Sequence, residues 1–298
     1  MKSRLIVRLK GGLGNQLFQY AAARGICEKN GAPLYLDTYT GFASDAFARR
    51  FRLNHFAIHA PMLSEKECRQ LLGASYIPRK LRSYRERCLI RFLGRAFDPF
   101  TYRLRIGGDV VLEGFWQSER YFRHVSAALR RELTVVTEAS PETREMVGRI
   151  REEGGVAVHI RRLHGFSAHG TRVEGKYGGE ASHATLSEYY RRSVEHIRSV
   201  RGPVNVYVFA DSPEWAAENV RFDCPTTYVS HNGQDRDYED LLLMATCRDH
   251  VIANSTFSWW GAWLAQAEDK IVCAPRNFSP YQGMRVLLDV YPPSWVVL

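Results

Sequence analysis

Short apolar runs that stop on a polar or charged residue recur along this chain of 298 residues, and the clearest is Val156 to Arg162, V-A-V-H-I-R-R. Runs this short, separated by helix-length stretches, point to a parallel sheet covered by helices. Alternating small apolar side chains make Val156 to Ile160 a buried strand. His159, Arg161 and Arg162 then fall at its carboxyl end, where open α/β sheets bind ligands. A guanidinium offers a planar fork of donors that stays charged, so the position suits a diphosphate. Arg161 and Arg162 are neighbours. A straight strand aims only one of them at a ligand, whereas a turn beginning there brings both round. The alternative is a strand end whose charges face solvent.

The same grammar opens the chain. Arg4 to Leu9 reads as a strand, Lys10 to Asn15 as a Gly-rich turn, Gln16 to Glu28 as a helix, and Leu34 to Leu36 as a strand ending at Asp37. Such a β-turn-α-β unit begins a doubly wound domain. Val110 to Phe115 adds a strand and Tyr121 to Leu133 a helix. After a linking helix at Pro141 to Arg151 the alternation restarts. Strands are expected at Val156–Ile160, Val204–Ala210, His250–Ala253 and Lys270–Ala274, with helices at Ser187–Ser199, Pro213–Asn219, Asp237–Cys247 and Phe257–Glu268. The expected fold is α/β: a Rossmann-like domain over residues 1–152 and a second over 153–298.

Formal net charge is +9 at pH 7, which favours an acidic partner such as nucleic acid, anionic lipid or a phosphorylated substrate. No nucleic-acid module is recognisable, so no nucleic-acid partner is expected. The six cysteines are scattered, without CxxC or zinc spacing, and read as reduced thiols of a cytoplasmic protein. Behind Met1-Lys2-Ser3-Arg4 the apolar run is only Leu5-Ile6-Val7, too short for a signal peptide. No stretch is long and apolar enough to span a membrane.

Several positions are candidate sites, each with a plainer alternative. The turn Gly11-Gly12-Leu13-Gly14-Asn15-Gln16 places glycines and a helix amino terminus where an anion could sit, or is only a tight turn. Leu17 stands where a dinucleotide fingerprint would need its third glycine. Asp211, after the strand Val204–Ala210, could accept ribose hydroxyls or guanine N–H groups, or cap a helix. Asn254, Ser255, Thr256 and Ser258 could donate to phosphate, or cap the helix that carries Trp259, Trp260 and Trp263 as packing. Asp235-Arg236-Asp237 looks like a DxD metal motif but follows a polar loop rather than an apolar strand, so no metal is expected; Asp240 suits base recognition better. From Pro78 to Arg105 basic residues are dense, and Leu81, Tyr84, Cys88 and Phe92 recur at helical spacing. That stretch reads either as a solvated helix face or as a basic amphipathic surface for an anionic membrane.

Taken together these segments resemble the inverting α-1,2-fucosyltransferases. The resemblance is carried by Gly11-Gly12-Leu13-Gly14-Asn15-Gln16-Leu17-Phe18-Gln19-Tyr20, Gly114-Phe115-Trp116-Gln117-Ser118-Glu119-Arg120-Tyr121-Phe122, His159-Ile160-Arg161-Arg162, Phe209-Ala210-Asp211, Glu239-Asp240-Leu241, and Ile252 through Trp263. It implies a GT-B-type fold, two Rossmann-like domains facing across a cleft, with the nucleotide held mainly by the second. It implies metal-independent transfer of L-fucose from GDP-β-L-fucose to the 2-hydroxyl of a terminal β-galactoside, with inversion and no cofactor. Arg161 would hold the diphosphate and assist its departure, His159 would line the nucleotide site, Arg162 would join it, Asp240 would lie near guanine, and the Asn15-Gln16 turn would face the reacting sugar. Glu119, His164 and Asp37 are candidate bases for the acceptor hydroxyl. The family's Arg-Arg-Gly-Asp continues here as Arg161-Arg162-Leu163-His164, so another GDP-deoxysugar such as GDP-colitose is an alternative donor, and a non-catalytic binding module an alternative role. The loop Gly165 to His183 is a candidate lid. A lipid-linked acceptor would account for a peripheral position on the inner face of a membrane.

Overall fold

A computed structural model of the chain describes residues 3–45, 47–161, 163–166, 172–174, 180–276, 278 and 287–298, with the backbone alone described at 76, 163–166, 172–174, 180–186 and 234. The chain forms two units, Met1–Val136 with Ser279–Pro292, and Thr137–Phe278 with Pro293–Leu298. The division therefore precedes the expected 152/153 seam. The reason is packing: on the linking helix, Ile150 is buried in one cluster with Ala157, Tyr207 and Phe209 of the second sheet. A segment of the last twenty residues also belongs to the first unit, which no local sequence pattern announces.

The first unit contains β1 (Arg4–Arg8), α1 (Leu13–Asn30), β2 (Leu34–Asp37), α2 (Glu65–Ala74), α3 (Tyr76–Cys88), the short α4 (Pro99–Tyr102), β3 (Asp109–Leu112) and α5 (Ser126–Glu132). Its sheet is parallel, in the order β2-β1-β3, with Leu5 opposite both Leu34 and Val110. Helix α1 starts three residues before the predicted Gln16, because extended Gly12 lets the chain turn into the helix at Leu13. It stops at Gly31, whose left-handed backbone (φ 59°) terminates the helix. The strand expected over Val110–Phe115 ends at Leu112, ahead of a loop in which Trp116 takes a positive φ of 46°. The helix expected over Tyr121–Leu133 is broken into two 3₁₀ turns, Glu119–Tyr121 and Arg123–Val125, before α5. Tyr121 and Phe122 are adjacent and both fully buried, which an uninterrupted amphipathic surface helix does not readily accommodate.

The second unit contains α6 (Pro141–Glu153), β4 (Val156–Ile160), an antiparallel pair β5 (Leu163–Phe166) and β6 (Arg172–Glu174), α7 (Glu180–Arg201), β7 (Val206–Ala210), α8 (Pro213–Asn219), β8 (Thr226–Val229), α9 (Asp237–Thr246), β9 (Asp249–Val251), α10 (Thr256–Leu264), β10 (Val272–Ala274) and β11 (Val296–Val297). Six strands form one parallel sheet, ordered β11-β10-β9-β4-β7-β8. Every residue of β4 is buried, as its unbroken apolar reading requires. Of the strands of this sheet, the two absent from the sequence reading, β8 and β11, are its edges: Thr226-Thr227-Tyr228-Val229 has little apolar signature, and β11 is two residues long. The pair β5–β6 is likewise absent from that reading. Helices α9 and α10 approach closely at Gly261, where an added Cβ would stand 2.9 Å from the Met244 Cβ. All six strands run the same way, so their carboxyl ends, and the amino termini of α9 and α10, lie along one edge.

Candidate functional site

In the second unit that edge gathers the cationic residues. β4 delivers His159 to a buried position and then ends, leaving Arg161 just beyond. Arg161 Nε lies 3.4 Å from Asp211 Oδ2, at the end of the neighbouring β7, and about a third of the Arg161 side chain stays open. Burial lowers its pKa and Asp211 raises it; a guanidinium remains cationic under both influences. Asp211 thus orients the cation, an ion-pair role that the choice between helix cap and ligand acceptor did not include. Arg162 lies outside the described residues.

The His159 ring packs against Phe257, centroids 5.6 Å apart. Burial, reinforced by the nearby Arg161 charge, pushes its pKa down to about 3, so the imidazole is neutral. Its Nδ1 is buried without a hydrogen-bond partner among the described residues. An orphaned polar atom beside a partly open cation is what a ligand hydroxyl or phosphate would satisfy.

The serine-rich turn supplies the second anion-binding element. Ser255 caps α10, accepting from the Phe257 N–H at 3.3 Å, with Asn254 and Thr256 half-buried on either side. Ser258 differs from its expected role as a ligand donor. It is buried, accepts the Ala253 N–H at 3.2 Å and donates to the Ser255 carbonyl at 3.3 Å. Its hydroxyl holds the turn. Trp259, Trp260 and Trp263 form a buried aromatic cluster with Trp295 packed on Trp259.

At the start of α9, Asp240 accepts from Asn232 Nδ2 at 2.9 Å. Burial pushes its pKa up to about 7; Asn232 lowers it, while Asp237 and Glu239 add to the rise. Its neighbour Glu239 is almost fully buried and accepts from the Ser140 N–H and hydroxyl at 3.0 and 2.8 Å. Burial raises the Glu239 pKa, but hydrogen bonds from Thr143 and Ser140 outweigh it and hold the group ionised. Thr143 contacts His231 Nε2 at 2.9 Å, so the cap of α6 and the start of α9 form one polar assembly behind Asp240. Glu239 as a structural anchor was not legible from its motif. Asp235 and Asp237 straddle the 3₁₀ turn into α9, and no three metal-ligating side chains gather among the described residues.

In the first unit, Gly14 lies buried in the first turn of α1. Gln16, expected at the reacting sugar, is fully buried here: its amide donates to the Gly11 and Arg50 carbonyls at 2.8 and 2.9 Å and accepts the Arg52 N–H at 2.9 Å. It ties the glycine turn to the 50–52 segment. Asn15 remains half-buried at the helix start and accepts from Gln117 Nε2 at 3.1 Å. Gln117 is buried and its Oε1 has no partner among the described residues, a polar atom that sequence reading did not single out.

Two candidate bases are occupied. Asp37 accepts from the Tyr39 and Thr40 N–H groups at 3.1 and 2.9 Å and from the Thr40 hydroxyl, so it fastens a turn. Glu119 accepts from Arg123 Nε and Nη2 at 3.1 and 3.0 Å. The His164 side chain and most of the expected lid, Gly165 to His183, lie outside the described residues. Glu113, just past β3, is the missed residue of this edge. It is buried and pairs with Arg8 at 2.9 Å, Lys10 at 3.3 Å and Arg79. Burial raises its pKa, but the three cations win and hold it at about 2. The strand expected over Val110–Phe115 makes Glu113 an interior position, and only the earlier end of β3 at Leu112 puts it at the carboxyl edge.

Two α/β units built on parallel sheets, with a cation and a capped helix start at one sheet edge, define a GT-B-type glycosyltransferase fold. The fold is similar to that of Arabidopsis thaliana FUT1 in complex with GDP, at a TM-score of 0.54 and 9% identity over 98% of this chain and 75% of that one. Residues 104–298 match the family described as glycosyl transferase family 11, and the chain belongs to it. It is 29% identical to an Escherichia coli α-1,2-colitosyltransferase across 99% of this chain and 98% of that protein. It is 23% identical to the Homo sapiens galactoside α-(1,2)-fucosyltransferase 1 across 96% of this chain and 72% of that protein.

Proposed function

We propose that this glycosyltransferase moves a deoxyhexose from a GDP-deoxysugar to the 2-hydroxyl of a terminal β-galactoside, with inversion and without a metal ion. GDP-L-fucose is the leading donor. GDP-colitose is the second, favoured by the extent of identity to the colitosyltransferase and by His164 standing where the family's Asp would be. The observation that carries the reading is Arg161, partly open at the end of β4, with α10 starting after the neighbouring β9 and the His159 Nδ1 without a partner among the described residues. As the sugar–phosphate bond breaks, charge grows on the β-phosphate. A fixed guanidinium and the positive end of the α10 dipole stabilise that charge without reorganising, which is the larger part of such catalysis. Asp240 serves the guanine, whose N1–H and amino group are donors to a carboxylate.

The test is a calorimetric donor screen with GDP, GDP-fucose, GDP-colitose and GDP-mannose, followed by transfer to a β-galactoside with and without chelator. Binding of GDP, α-linked product from a β-linked donor, and an unchanged rate in chelator are expected. GDP release only by hydrolysis, or a rate abolished by chelator and restored by a divalent ion, would overturn the reading.

A further inference from the structure

Helix α3 and the turn continuing it, Leu89–Leu93, are packed inside out. Arg79, Glu86 and Ile90 are buried, and Arg82 is half-buried. This inward face braces the loops of the first unit. Glu86 Oε1 accepts the Phe115 and Trp116 N–H groups, each at 2.8 Å, Arg79 pairs with Glu113, and Arg82 donates to the Val111 carbonyl at 2.8 Å. The outward face carries Ile77, Leu81, Tyr84, Phe92 and Leu93, each more than half exposed. Positions 77, 81, 84, 88 and 92 follow helical spacing, so they share one side. Leu288, also exposed, extends the patch: its N–H donates to the Gly94 carbonyl at 2.8 Å.

We propose that this face seats on an anionic lipid bilayer, with the apolar stripe in the boundary between headgroups and acyl chains and Lys80, Arg87, Arg91 and Arg95 on lipid phosphates. Charge chooses the occupant. From Tyr76 to Arg95 there are seven basic residues and one acidic residue, and the acidic one is the buried Glu86. Lys80, Arg87, Arg91 and Arg95 are all exposed around the stripe. A second copy docked on the same face would oppose like charges across the contact. Nucleic acid would meet the cations but leave the aliphatic side chains without a partner. An anionic bilayer satisfies both, and an amphipathic helix with arginines and aromatics at its rim lies in that interface. Among the described residues no helix is long and apolar enough to cross a membrane, so α3 would lie parallel to the surface. The inference does not depend on which sugar the enzyme transfers.

The test is co-sedimentation of the full chain with vesicles of phosphatidylcholine alone or mixed equally with phosphatidylglycerol. Binding to the anionic vesicles at low salt, weakened by added salt, is expected. Replacing Ile77, Leu81 and Phe92 together by Ser should weaken it about tenfold or more. Replacing Lys80, Arg87 and Arg91 by Gln should weaken it about 100-fold. Both variants change solvent-facing side chains, so melting temperature and transfer to a soluble acceptor should stay at wild-type values. Absence of binding to anionic vesicles at low salt would overturn the proposal, as would equal binding by wild type and both variants. A wild-type dimer in equilibrium sedimentation that the Ser variant dissolves, with vesicle binding unchanged, would assign the face to a second copy instead.

Discussion

At the scale of single residues, the site depends on which charges burial permits. Arg161 is the one cation at the end of β4 that the structure describes, and Asp211 aims it. Arg161→Ala should lower turnover about 10²–10³-fold, the scale of losing one preorganised donor, and Arg161→Lys should recover only part, because a point charge cannot reproduce the fork. Steady-state rates of the two variants check this. Asp240 offers a pH signature. Burial pushes its pKa up to about 7, so a carboxylate that must accept guanine donors is half protonated near neutrality. GDP should therefore bind more tightly as pH rises towards 8 and weaken by up to about tenfold per unit below 7. Asp240→Asn should bind GDP weakly with a flat profile. Calorimetry across that range decides, and a wild-type profile without slope would remove Asp240 from base recognition.

Buried histidines of the second unit give the opposite sign for stability. His159 and His250 both have folded pKa values near 3, because burial disfavours the imidazolium and a neighbouring cation, Arg161 or Lys270, adds to it. Unfolding releases each to its ordinary value of 6.5, so the unfolded chain takes up protons first. Their contribution is complete above pH 6.5 and is lost as pH falls from there towards 3, by about 1.4 kcal/mol per pH unit for each group. Asp240, with its folded value raised, contributes at low pH and loses that contribution as pH rises towards 7. Within the second unit two protons against one favour destabilisation by acid, while Glu86 of the first unit, its pKa raised by burial, works the other way. The transition of the second unit should move to lower temperature between about pH 6.5 and 5, and scanning calorimetry at several pH values measures it.

At the scale of elements, α3 shows how a helix can be legible in period and illegible in direction. Leu81, Tyr84, Cys88 and Phe92 announce a helical face, and the ordinary inference is that such a face is buried. Here burial went to Arg79 and Glu86, because the loop after β3 presents two consecutive N–H groups and a carboxylate that need charged partners. Glu86→Ala leaves both N–H groups orphaned and should cost about 1–3 kcal/mol. Glu86→Gln keeps a carbonyl acceptor and should retain most of the stability. Thermal melts of the pair separate loss of the hydrogen bonds from loss of the charge. A similar redirection occurs at Gln16 and Ser258: both belong to motifs that suggest ligand contact, and both hold backbone turns.

At the scale of the whole molecule, each unit has its own parallel sheet, and the proposed function predicts the nucleotide in the second. GDP at 100 times its dissociation constant should stabilise what it binds by about 2.7 kcal/mol. Amide exchange should then slow in β4, β7 and α10, while α1 and β1 of the first unit keep their rates. Protection appearing in the first unit alone would place the nucleotide there.

The amino-acid sequence by itself determined the α/β class, the central buried strand and the order of the four inner strands of the second unit's sheet with the helices between them, because short apolar runs and helical periods are local signals. It also marked the strand ends at which His159, Arg161 and Asp211 stand. Only the tertiary structure decided where the units divide, which strands are the sheet edges, and which polar residues face inward. Those outcomes depend on pairing between residues far apart in the chain: Glu86 with the Phe115 and Trp116 amides, Glu113 with Arg79, and Glu239 with Ser140. A buried polar group must find its partner wherever the fold places one, and sequence spacing carries no record of that distance.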